Sequence, residues 1–203
     1  MQIELLSLVI WFPIVGGILV LATGGEQNAP VARKLALGFS VTSFLLSLSL
    51  YTGFDNTTAA MQFVERKAWI DLLHIEYYLG VDGISMPFIL LTTFLTVIVV
   101  IAGWEVIQQR TAQYMAAFLI MEGLMIGVFC ALDSILFYLF WEAMLVPMYL
   151  IIGIWGGKTE STQPSSFFST PCSGRCSCWW DLSTYTSLPA APVSYTHLRA
   201  HET

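Results

Sequence analysis

The chain has 203 residues, of which 56% are hydrophobic and 11% charged, against about 25% charge in a typical soluble domain. Mean hydropathy is +0.71 and formal net charge is −6. This balance excludes an ordinary soluble fold, and the lack of any basic tract excludes an electrostatic footprint for nucleic acid.

In chain order, five apolar runs are long enough to cross about 30 Å of bilayer hydrocarbon as helices: Leu5–Ala22, Leu35–Tyr51, Ile84–Trp104, Gln113–Leu132 and Ser134–Trp155. The expected fold class is all-α, a polytopic transmembrane helix bundle. The first run lacks the basic leader and small-residue cleavage site of a secretory signal, so it is read as a retained span. Between the second and third runs lies a polar stretch, Thr52 to Gly83. It alternates in part (Trp69, Ile70, Leu72, Leu73, Ile75, Tyr77), which predicts a surface hairpin or interfacial segment. Asp82 is placed to cap the third helix, with Pro87 in its first turn, where proline is permitted. Only Leu132-Asp133-Ser134 divides the fourth run from the fifth. So short a connection predicts an antiparallel helical hairpin, with Asp133 or Ser134 capping the second helix.

Lysine and arginine set the expected orientation. Arg33, Lys34, Arg110 and Lys158 fall on one side, read as cytoplasmic. The other side holds Arg66 and Lys67 diluted among Asp55, Glu65, Asp71, Glu76 and Asp82, which leaves the N-terminus outside.

Two carboxylates stand out. From Ser134 to Trp155 only Glu142 is charged, and it falls near the middle of the span. An ionisable group at that depth costs at least ~2.5–3.5 kcal/mol on insertion scales, so it is paired, neutralised or facing a wet cavity. Glu122 lies near the centre of the preceding span, as far before the turn as Glu142 lies after it, so both are expected at similar depth. A role in packing competes with a proton relay for each. Pro147 frees the carbonyl of Ala143 and reads as a tolerated kink. Metal chemistry finds no support. Cys130 is alone in the apolar body, Cys172, Cys176 and Cys178 fit no zinc spacing, and His74 is a loop residue.

Two segments carry a family likeness: LGVDGISMPFILLT (Leu79–Thr92) and ALDSILFYLFWEAMLVPMYLIIGIWGG (Ala131–Gly157). They resemble the antiporter-like membrane subunits of NADH-quinone oxidoreductase, respiratory complex I, over roughly residues 1–158. Trp141 and the run Met144 to Tyr149 favour the subunit M branch over its L and N relatives. The resemblance implies a bundle of about fourteen helices in inverted repeats, of which this chain holds the first few. It implies a proton-pumping translocase module that couples electron transfer from NADH to quinone, with no redox chemistry of its own. Glu142 then matches a relay glutamate whose partner lysine lies on a later, broken helix, and Glu122 a second acidic position. No cofactor is implied here, since flavin and iron–sulfur centres belong to other subunits. The implied partners are neighbouring antiporter-like subunits, and the implied location is the bacterial inner membrane. A multisubunit sodium/proton antiporter is the alternative reading.

Composition changes after Lys158. Residues 159–192 are rich in Ser, Thr, Pro and Cys, and a frame shift near Gln163 is the expected cause. Residues 193–203, VSYTHLRAHET, resemble a translated sequencing-library adapter, so the spacing of His197 and His201 carries no metal reading. The expectation is an authentic segment 1–158 followed by a tail without native fold, and a chain that lacks the partner lysine needed for pumping.

Overall fold

The structure, a computed structural model, describes residues 4–24, 28–55, 60–70 and 75–155. The tail after residue 155, with Lys158, the later cysteines and the adapter-like end, lies outside the described residues, as does His74.

Among the described residues, five helices are long and apolar enough to cross a membrane: α1 (Leu5–Ala22), α2 (Ala29–Thr52), α3 (Ser85–Val106), α4 (Thr111–Cys130) and α5 (Ser134–Trp155). α1 and α5 have the expected bounds. α2 begins six residues before the expected Leu35, because its amphipathic first turns, with Pro30 at the helix start, extend past the apolar run. The polar stretch forms an antiparallel hairpin of β1 (Gln62–Ile70) and β2 (Ile75–Val81). A register shift between Gln62 and Glu65 is where Phe63 takes φ 54°, the extra residue of a bulge.

Small residues let the helices approach. A Cβ on Gly123 of α4 would stand 2.6 Å from the Ile10 carbonyl of α1, and one on Gly17 of α1 would stand 2.9 Å from the Ala116 carbonyl of α4. These pairs run in opposite senses along the two helices, so α1 and α4 are antiparallel and in near backbone contact. The α4–α5 hairpin is also antiparallel. Gly127 near the end of α4 lies against Phe140 near the start of α5. At the far end the rings of Tyr114 and Trp155 meet edge-on at 5.3 Å. Asp133 makes the cap: its Oδ1 accepts from the backbone N–H of Ile135 at 2.8 Å and of Leu136 at 3.2 Å. Asp82 likewise accepts from the Ser85 N–H at 2.6 Å and closes the turn into α3.

The loops sort into two ends. At the basic end, Arg33 donates to the Ile107 carbonyl at 2.9 Å, and Trp155 Nε1 donates to the Gln109 carbonyl at 3.1 Å. The starts of α2 and α4 therefore gather with the ends of α3 and α5, and Arg33 and Arg110 share that end. The β-hairpin lies at the other. Glu65 accepts from the N–H groups of Leu6 (2.9 Å) and Ser7 and from the Ser7 hydroxyl, and so caps α1 from a distant strand. Lys67 pairs with Glu4 at 2.6 Å. β2 reaches the α4–α5 turn, where Leu132 N–H donates to the Tyr78 carbonyl at 3.0 Å. The hairpin thus ties the start of α1 to the turn between α4 and α5.

Candidate proton-relay site

The two carboxylates share a level but not a face. The pairs Gly127–Phe140 and Tyr114–Trp155 fix the α4–α5 register, which sets Glu142 about level with Met125, within one turn of Glu122. Their directions differ. α5 buries Leu136, Phe140 and Pro147 against its neighbours. At about 100° per residue, Glu142 projects roughly 140° round from that stripe, away from α4. It is half-buried, on a helix that otherwise exposes Phe137, Trp141, Val146 and Leu150.

Glu122 is 1% exposed, and neither of its carboxylate oxygens has a hydrogen-bond partner among the described residues. Met115, Glu122 and Phe129 fall at seven-residue spacing on one line of α4. Both outer members touch α3. Met115 reaches within 3.5 Å of where a Gly103 Cβ would stand, and Phe129 stacks on Phe88 with ring centroids 5.5 Å apart. Glu122 therefore faces α3 and its neighbour α2, with the body of α4 between it and α5.

What the sequence reading left unmarked is the lining on that side. α2 turns Ser40, Ser43 and Ser47 inward and α3 turns Thr92, Thr93 and Thr96 inward, all buried. Ser47 and Thr93 join the helices through a 2.9 Å hydroxyl pair. The spacing of these hydroxyls at three and four residues was the available signal. Among the described residues no cluster of three metal-binding side chains occurs, and Cys130 is a buried free thiol.

Membrane-spanning helices enclosing ionisable groups at mid-depth define a class, the polytopic membrane proteins with intramembrane carboxylates. Comparison with known proteins narrows it. Residues 34–132 match the family described as NADH-ubiquinone oxidoreductase chain 4, amino terminus. Residues 131–170 match NADH:quinone oxidoreductase/Mrp antiporter, TM. NADH-quinone oxidoreductase subunit M of Rhodobacter capsulatus is 49% identical over 169 residues, covering 81% of this chain and 32% of that protein. NADH-ubiquinone oxidoreductase chain 4 of Arabidopsis thaliana is 44% identical over 163 residues, 80% of this chain and 33% of the relative. A chain of respiratory complex I from Thermus thermophilus with bound NADH superposes with a TM-score of 0.69 at 25% identity, covering 83% of this chain and 33% of that one. Along residues 34–170 the chain is similar to the subunit M, or chain 4, family of NADH:quinone oxidoreductase. It spans about a third of the length of these relatives.

Proposed function

We propose that this chain is part of an antiporter-like membrane-arm subunit of NADH:quinone oxidoreductase, in which proton translocation is coupled to electron transfer from NADH to quinone. The observation that carries this reading is the 49% identity to a named subunit M across 81% of the chain. The same relatives favour it over a stand-alone sodium/proton antiporter.

Within that function Glu142 serves as a proton relay and Glu122 as a second proton-holding group. A carboxyl can take and return a proton without leaving its helix, and each side chain sits at a depth where few other groups can. Glu142 projects from α5 on the side away from α4, so its exchange partner lies on an element other than α4. The resemblance assigns that partner to a lysine on a later helix. Electron carriers, flavin and iron–sulfur, are supplied by other subunits, and neighbouring antiporter-like subunits flank this one in the bacterial inner membrane. The N-terminus and the β-hairpin face the periplasm.

An affinity tag on the full-length subunit tests the assignment. The tagged protein should co-purify from mild detergent with NADH:quinone reductase activity in one large assembly. Recovery of the subunit in a particle without that activity would contradict it.

A further inference from the structure

The side of α4 that carries Glu122 has a use the α5 relay does not draw on. Ser43 of α2 is fully buried, and its Oγ, like both oxygens of Glu122, has no hydrogen-bond partner among the described residues. Buried polar atoms are rarely left so, and ordered internal water is their usual partner where protein groups supply none.

Their levels coincide. Glu122 lies midway between Met115 and Phe129, which touch Gly103 and Phe88 of α3. Midway between Phe88 and Gly103 are Leu95 and Thr96; Leu95 is 47% exposed, while Thr96 is 7% exposed and turned inward. Ser47 bonds Thr93. One turn from that pair toward the basic end stand Ser43 on α2 and Thr96 on α3. Ser43, Thr96 and Glu122 thus occupy one level of three mutually packed helices.

The neighbouring hydroxyls have spent their protons on their own helices. Ser40 donates to Leu37 O at 3.1 Å, Thr92 to Phe88 O at 2.8 Å and Thr96 to Thr92 O at 3.0 Å. Each oxygen keeps lone pairs that can accept from water. Apolar clusters close the seam at both ends: Val20, Ala32, Ala36, Val100, Met115 and Leu119 toward the basic end, and Leu50, Met86, Ile89 and Ile126 toward the hairpin.

We propose that α2, α3 and α4 enclose an internal water site in which ordered water bridges Glu122 to Ser43 and the adjoining threonines, giving Glu122 a proton-exchange partner independent of α5. An excess proton on that water passes to a Glu122 oxygen: its O–H bond to water breaks, one to the carboxylate forms, and neutral water remains. Release reverses the step. The water site stands on packing alone, and its part in translocation rests on the relay reading of Glu122.

The test uses the assembled complex with the full-length subunit. A cryo-EM map that resolves waters should contain density within hydrogen-bond distance of both Ser43 Oγ and a Glu122 oxygen. A dry seam, with Ser43 bonded to its own helix and Glu122 paired directly to a protein group, would overturn the site. Ser43→Ala removes the hydroxyl with little change in volume and should lower protons pumped per NADH several-fold, while Ser43→Thr, which keeps a hydroxyl, should retain them. Normal pumping by Ser43→Ala overturns the role in translocation. Whether Glu122→Gln then also pumps normally separates the loss of this route from the loss of the relay reading itself.

Discussion

At the residue scale, the placement of both carboxylates depends on glycines that let backbones touch. Gly123 is adjacent to Glu122, and its missing side chain allows α1 to pass within contact of α4. A Cβ there would meet Ile14 Cγ1 at 2.5 Å and the Ile10 carbonyl at 2.6 Å. The second neighbour is backbone and cannot swing aside. Gly123→Ala should therefore push α1 from α4 and destabilise the bundle by about 1–3 kcal/mol, read as a lower thermal midpoint of the purified complex. Gly38→Ala, which meets nothing within 4 Å, is the control and should not lower that midpoint. The existence and depth of Glu142 and Glu122 were legible because a lone charge in an apolar run is conspicuous. Their directions were not, because the sequence does not say which side of α4 each neighbouring helix takes. The contacts of Gly127, Met115 and Phe129 decide that.

At the scale of elements, hydropathy located each of the five described spans, since length and apolar content are the conditions for crossing a bilayer. The ends were less legible. α2 starts at Ala29, not Leu35, because helix formation continues where hydropathy falls. The hairpin between α2 and α3 was one of the two readings its alternation allowed, the other being an interfacial segment. Its contacts were not, since Glu65 capping α1 joins residues 59 positions apart. One cross-strand pair gives the hairpin a pH dependence. The Arg66 guanidinium forms an ion pair with Glu76 and lies 5.6 Å from the Tyr78 ring centre. That hydrogen-bonded guanidinium holds the Glu76 carboxyl below its ordinary 4.5. A carboxylate held low stabilises the folded hairpin fully above its unfolded value, and the contribution fades as pH falls through the lowered one. Both groups are exposed, so the effect is small. Amide exchange in β1 and β2, taken relative to the intrinsic exchange rate at each pH, should be constant from neutrality to about pH 5 and quicken below 4.5. Glu76→Gln should abolish that step.

At the scale of the whole molecule, the loops divide between a basic end and a hairpin end, and this division makes the topology testable. The hairpin end is assigned to the periplasm on lysine and arginine content. Gly83 is exposed, with nothing within 4 Å of a Cβ, and Gln109 is exposed at the basic end. In a full-length subunit whose native cysteines are replaced by serine, Gly83→Cys should react with a membrane-impermeant thiol reagent added to intact cells. Gln109→Cys should react only after the cells are opened, and the reverse pattern would invert the orientation.

The central claim is that Glu142 carries protons. Glu142→Gln keeps the shape of the side chain and removes its titration. The direct measurement is protons translocated per NADH oxidised in sealed membrane vesicles, with complex assembly checked on a native gel. We predict normal assembly and a strongly reduced ratio in the variant. An unaltered ratio in a fully assembled Glu142→Gln complex would contradict the account.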